Sequence, residues 1–340
     1  MKPSVLIIYT GGTIGMINDP ETGELKTFDF NLIDQHVPEL KRLNIEMTTI
    51  SFEDPIDSSN MNPDLWIRIG ELIESNYDQY DGFVVLHGSD TMAYTASALS
   101  FMFDGLRKPV ILTGSQLPIG TIRTDGKENL ITAIEIAASE DDAGAPIIQE
   151  VAIYFEYHLY RGNRSTKDSA SNFEAIKSPN LVELATAGVH IEYHRKMLYR
   201  TDASEFSIQK SFNKRVGLIK IYPGIDFSIY TSVFDREQVD GIVLETFGAG
   251  NAPASEVFER LCGEFISNGG IMLNITQCST GKVEHGMYET SSMFKKLGVI
   301  SGGDMTTEAA VTKMMCVLAK ESRDEAIALL SHDTRGEVSY

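Results

Sequence analysis

Cysteine is scarce in this chain. Three residues, Cys262, Cys278 and Cys316, stand far apart and odd in number, which excludes a disulfide framework and a C-x-x-C metal clamp. Such usage suits a reducing compartment. Positive charge is also in short supply: 29 Lys and Arg against 48 Asp and Glu give a formal net charge of −19. A field of that sign repels phosphate backbones and anionic lipid, so neither nucleic acid nor a membrane surface is an expected partner. Long apolar runs are missing too. None approaches the roughly 18 residues that a membrane span needs. Val5 to Tyr9, behind Lys2 and Pro3, is too short for a signal-peptide core and has no small-residue cleavage site after it. The expected location is the cytoplasm.

What is present describes a globular protein. Its 340 residues, 42% hydrophobic and 23% charged, fit two domains of roughly 150 residues each. Short β-branched runs alternate with helical patterns. Ser4 to Tyr9 reads as a strand, as does Ile45 to Ser51, followed by a polar loop over 54–60. Asn62-Pro63 is an N-cap with proline at the first helical position, opening a helix to about Asn76. Gly82 to Leu86, Pro109 to Leu112 and Val151 to Phe155 are continuous apolar strands, with helices expected from Met92 to Phe103 and Gly126 to Ala138. Apolar periodicity fades between about 192 and 214. It resumes with strands at Val216 to Ile221, Gly241 to Leu244 and Ile271 to Ile275, and helices near 227–237, 255–267 and 307–320. The expected fold is α/β: a larger N-terminal, mostly parallel sheet flanked by helices (1–191), a linker (192–214) and a smaller C-terminal α/β domain (215–340).

Polar clusters gather at strand ends, where open α/β sheets bind ligands. Thr13 follows the first strand through Gly11 and Gly12, a break that lets backbone N–H groups approach a ligand and holds a hydroxyl at the strand end. Asp57-Ser58-Ser59, Ser89-Asp90 and Lys167, in the basic loop 161–167, are the others. Turn chemistry accounts for any one of these loops by itself. Together they hold the parts for acyl transfer: a hydroxyl nucleophile, a lysine able to act as base if desolvated, and N–H donors for an oxyanion. Competing motifs fail. Thr10 stands where G-x-G-x-x-G needs its first glycine, no G-x-x-x-x-G-K-[ST] occurs, and His190 and His194 lack the H-E-x-x-H order and a helical face. Gly248 to Asn251 reads as a tight turn, His87 as a residue that orients its strand-end loop, Met314, Met315 and Cys316 as core, and Cys278 as a small packed residue.

The stretch Tyr9-Thr10-Gly11-Gly12-Thr13-Ile14-Gly15-Met16 resembles the N-terminal signature of the asparaginase/glutaminase family, and His87-Gly88-Ser89-Asp90-Thr91-Met92 resembles its second. Asp57 to Ser59, Tyr160 to Lys167, Gly248 to Pro253, Asn274 to Cys278 and Gly302 to Thr306 resemble the cytosolic, type I branch, in order and over nearly the whole chain. The resemblance implies that Thr13 attacks the side-chain amide of L-asparagine, with glutamine a minor substrate, and forms an acyl-enzyme; ammonia leaves and water releases aspartate. It implies that Ser89, Asp90 and Lys167 form a second catalytic group, and that Asp90 also holds the α-ammonium. Asp57, Ser58 and Ser59 would fix the α-amino-acid end. It implies no cofactor and no metal, and a homodimer or homotetramer in which the neighbouring subunit closes each site through Gly250-Asn251.

Three positions depart from the pattern. Ser89 stands where the family usually carries threonine. The segment Asn18 to Phe30, with Glu24 and Leu25, has no tyrosine where the family supplies a catalytic one. Glu245 stands where an allosteric asparagine site of this branch uses arginine, although Thr166 and Cys278 resemble two of its other members, so that regulation is not expected. Two other readings compete. One is the amidase subunit of a tRNA-dependent amidotransferase, which would carry an extra N-terminal domain and need a tRNA-binding partner. The other is a non-catalytic amino-acid-binding sensor.

Overall fold

The first apolar run forms strand β1 (Ser4–Gly11), buried from Val5 to Thr10. It lies between β2 (Glu46–Ile56) and β3 (Gly82–Leu86), parallel to both. A computed structural model, describing residues 2–18, 25–27, 33, 37–286 and 289–339, places it in the first of two units, Met1–Gln209 and Lys210–Tyr340. Between β2 and β3, helix α1 (Pro63–Asn76) starts where Asn62 Oδ1 accepts from the N–H of Asp64 at 3.0 Å and of Leu65 at 3.3 Å. Trp66, Ile69, Gly70 and Ile73 give it one buried face.

Helix α2 (Met92–Met102), β4 (Val110–Thr113), helix α3 (Gly126–Ala137) and β5 (Val151–Phe155) continue the parallel alternation. The chain then doubles back. Glu156 and Tyr157, at φ 45° and 71°, make a two-residue hairpin into the antiparallel β6 (His158–Arg161). Strands β7 (Ala185–Ala187) and β8 (Ile191–Tyr193) complete the sheet, in the order β8-β7-β6-β5-β4-β3-β1-β2. Val5, Ile7, Tyr9, Val84 and Ile111 pack on one face against Ala133 and Ile134 of α3.

The second unit is a parallel four-stranded sheet: β9 (Val216–Lys220), β10 (Gly241–Thr246), β11 (Ile271–Thr276) and β12 (Ile300–Ser301). Its helices are α4 (Glu256–Ser267), α5 (Glu289–Leu297), α6 (Thr307–Lys320) and α7 (Arg323–Leu330). Lys313 of α6 is buried, donates to the His332 carbonyl at 2.7 Å and pairs with the buried Glu337, fastening the C-terminal segment to the helix. Among the described residues no helix is long and apolar enough to cross a membrane.

The α/β fold, with a larger, mostly parallel sheet and a smaller parallel one, is the expected one, with local differences. Asp54 to Ile56, expected in a loop, end β2, because Gly11 pairs with Ile56 across a register shift. The helix expected near 227–237 is a short 3₁₀ turn, Phe227–Tyr230, followed by tight turns whose bonds run Val233 N to Tyr230 O and Gln238 N to Asp235 O. Helices α5 and α7 escaped the periodicity, although Ser322 and Glu325 form a capping box at the start of α7. Within 192–214, Ser207–Ile208 pairs with Phe103–Asp104, so this part of the stretch is held by the first unit.

Candidate active site

Thr13 opens a single 3₁₀ turn, Thr13–Gly15, reached through Gly11 and Gly12 at φ 136° and 86°. These glycines mark backbone contacts. A Cβ on Gly11 would lie 2.2 Å from the Ile56 carbonyl oxygen, and one on Gly12 would lie 2.6 Å from Gly88 N. A Cβ on Gly88 would lie 2.5 Å from Ser58 Oγ. The loops after β1, β2 and β3 therefore meet with no room for a side chain at the contacts. Thr13 and Ser89 each directly follow one of two touching glycines.

Ser89 is buried and Asp90 exposed. Lys167 Nζ donates to Ser89 Oγ at 3.0 Å and forms an ion pair with Asp90. Ser89 Oγ donates to Gln116 Oε1 at 3.3 Å, and Gln116 Nε2 donates to the Asn172 carbonyl at 2.9 Å. Asp125 anchors that loop, accepting from Gln116 N at 2.8 Å and Leu117 N at 3.1 Å; burial raises its carboxyl above the usual range. The hydroxyl of Ser89 thus points its proton at an amide oxygen while its own oxygen faces a lysine.

Lys167 reaches this place by an indirect route. The strand before it, β6, is antiparallel, so its carboxyl end lies away from those of the parallel strands. The chain returns along α2: a Cβ on Gly162 would lie 3.0 Å from Ala96 Cβ, and Ser97 Oγ donates to the Gly162 carbonyl at 3.5 Å. Lys167 then sits in a two-residue ladder, Thr166–Lys167 against Ile176–Lys177. The expectation of a simple strand-end loop is corrected accordingly.

Asp57 caps the 3₁₀ turn Ser58–Asn60, its Oδ1 accepting from Ser59 N at 2.9 Å. Those bonds from Ser59 hold its carboxyl below the usual range. Ser58 is buried, and its carbonyl accepts from Thr91 Oγ1 at 2.7 Å, tying the loop after β2 to the start of α2. Asp57 and Ser59 stay exposed.

In the second unit, Asn251 closes a turn in which Phe247 N donates to the Asn251 carbonyl at 2.9 Å. Thr276 Oγ1 donates to the Gly248 carbonyl at 2.7 Å. Glu245 is buried, accepting from Thr307 Oγ1 at 2.5 Å and pairing with Lys220 at 3.1 Å. Cys278, expected to be packed, is exposed because it lies beyond the end of β11.

Of the segment Asn18 to Phe30, residues 19–24 and 28–30 lie outside the described residues, Glu24 among them. Tyr9 is close in sequence to Thr13, but it is a core residue beneath Gly15, and burial pushes its hydroxyl up to about 12. Gln116 has no role in the sequence reading, although it lies in the loop after β4, next in the sheet to β3, whose own following loop carries Ser89. Among the described residues no three His, Cys, Asp or Glu are grouped as a metal ion would require.

Fold and site define an α/β protein with hydroxyls, a lysine and carboxylates gathered around touching strand-end loops. The chain belongs to the asparaginase family and is an amidohydrolase: the family model "Asparaginase, N-terminal" matches residues 4–199, and "Glutaminase/Asparaginase C-terminal domain" matches 215–330. L-asparaginase 1 of Escherichia coli (strain K12) is 40% identical over 344 residues, covering 99% of this chain and 98% of that protein. The crystal structure of L-asparaginase I from Vibrio cholerae superposes with a TM-score of 0.90 at 39% identity, covering both chains completely. A glutamyl-tRNA(Gln) amidotransferase subunit of Sulfolobus acidocaldarius is more distant, 32% identical over 99% of this chain and 76% of its own length.

Proposed function

We propose that the protein is an L-asparaginase, converting L-asparagine to L-aspartate and ammonia through an acyl-enzyme on Thr13. One observation carries the reading: the backbones of Gly12 and Gly88 touch, which sets the two hydroxyl residues that follow them, Thr13 and Ser89, on adjoining turns. Thr13 Oγ attacks the side-chain amide carbon. The C–N bond breaks as the nitrogen takes up a proton, ammonia leaves, and water hydrolyses the ester to free aspartate and restore Thr13. Ser89 and Lys167, 3.0 Å apart, handle the protons. Asp90 receives the α-ammonium, with Asp57, Ser58 and Ser59 at the α-amino-acid end, which fixes the amide relative to Thr13. No metal or cofactor enters these steps. In this reading the enzyme is cytoplasmic and works as a homodimer or homotetramer, with Asn251 of the partner subunit at the rim of each site.

The test is ammonia release from asparagine and glutamine by the purified protein and by Thr13→Ala. Turnover that the substitution abolishes supports the reading. Calorimetric binding of asparagine with a flat ammonia assay would replace it with an amino-acid sensor, and co-purification with a second polypeptide and tRNA would replace it with an amidotransferase subunit.

A further inference from the structure

His87 follows β3 directly, is buried, and has both ring nitrogens engaged. Nδ1 lies 2.7 Å from the Gly88 carbonyl oxygen, and Nε2 lies 2.8 Å from Thr95 Oγ1 on α2. Thr95 Oγ1 in turn accepts from Trp66 Nε1 on α1 at 3.1 Å. The chemistry of the two ends sets the direction of every bond between them. A carbonyl oxygen only accepts, so the Nδ1 facing Gly88 carries the proton. An indole N–H only donates, so the Thr95 hydroxyl receives it and gives its single proton onward to Nε2. Burial pushes the His87 imidazole down to about 4, which keeps the ring neutral and its Nε2 free to accept.

We infer that Trp66, Thr95 and His87 form a one-way hydrogen-bond relay that fixes the orientation of the Gly88–Ser89 peptide, and that all three are positioning residues for Ser89 and Asp90. The peptide is held on two sides. The relay grips its carbonyl, and Gly12 closes off its Gly88 end, where a Cβ on Gly12 would lie 2.7 Å from Gly88 Cα. Rotating that peptide would carry Ser89 Oγ away from both Lys167 and Gln116, which stand 3.0 Å and 3.3 Å from it. The inference rests on the reading of Ser89, Asp90 and Lys167 as the second half of the catalytic site.

Two measurements on the full-length protein test it. In a ¹⁵N-histidine-labelled sample at neutral pH, His87, assigned by its loss in His87→Asn, is expected as the Nδ1–H tautomer; an Nε2–H tautomer overturns the relay. In steady-state kinetics, Thr95→Val is expected to lower kcat by about 10-fold or more, the mark of a misplaced Ser89, with a smaller rise in KM from the displaced Asp90. Thr95→Ser, which keeps the hydroxyl, is expected to restore kcat. Should Thr95→Val fail to fold, His87→Asn, which keeps a donor near the Nδ1 position, is compared with His87→Gln. Higher kcat in the Asn variant supports the relay, and equal values overturn it. An active wild type with an unchanged kcat in folded Thr95→Val overturns the relay alone, whereas a wild type that releases no ammonia overturns the catalytic reading beneath it.

Discussion

Lys167 Nζ stands 3.0 Å from Ser89 Oγ and is ion-paired with the adjacent Asp90, across 78 and 77 residues of chain. Its side chain is 19% exposed while that of Asp90 is 64% exposed, so the lysine is sheltered and the carboxylate remains reachable. Lys167→Met is expected to lower kcat by about 10²- to 10⁴-fold, the range for a lost proton-handling group. Stability should hardly change, because a pair with one exposed partner contributes only about 0–1 kcal/mol. Thermal melts and ammonia release on the same preparation check both halves.

At Gly88 the expected effect is steric. A Cβ there would lie 2.5 Å from Ser58 Oγ and 2.8 Å from Ser58 Cβ, so Gly88→Ala must displace the loop after β2. Because Ser58 belongs to the proposed α-amino-acid end, KM should rise at least as much as kcat falls. Gly12→Ala is more severe: its φ is 86° and its Cβ would meet Gly88 backbone at 2.6 Å. It should abolish turnover. Normal kinetics in either variant would show that the loops do not touch as described.

His87 gives the protein an acid-sensitive contribution to stability. Its folded pKa, about 4, lies below the ordinary 6.5, so the unfolded chain takes up the proton first as pH falls. The stability from this group is full above pH 6.5 and is lost progressively toward pH 4, about 3 kcal/mol in all. Urea midpoints at pH 7.5 and 5 should therefore separate more for wild type than for His87→Asn. Equal separations would remove His87 as the cause.

Glu245 bears on the shape of the saturation curve. Its carboxylate is buried between Lys220 and Thr307, and a negative charge there opposes the α-carboxylate of an effector amino acid. Ammonia release against asparagine concentration should be hyperbolic for wild type. A sigmoidal curve would show that cooperative binding survives with a carboxylate at this position.

Several features were legible in the residues alone because their causes are local. The apolar runs at Val5 and Phe83 are the signature of strands covered on both faces. Asn62-Pro63 carries its own cap, and Gly11-Gly12 announce backbone that only glycine adopts without strain. The ordered motifs around Thr13, Ser89 and Lys167 were enough to name the family and the chemistry. The segment after Asp226 forms successive tight turns where a helix is expected, because apolar spacing alone does not distinguish the two.

What only the tertiary structure decided is how distant groups meet. Spacing along the chain says nothing about Lys167 returning along α2 to Ser89, because β6 runs antiparallel and that direction is a property of the sheet. Nor does it show that the Gly88 backbone excludes a side chain at Gly12, or that Trp66 of α1 donates to Thr95 of α2, the partner of His87. Each of these contacts lies at short range in space and long range in sequence. Thr13 could be picked out from its glycines; the company it keeps is set by packing.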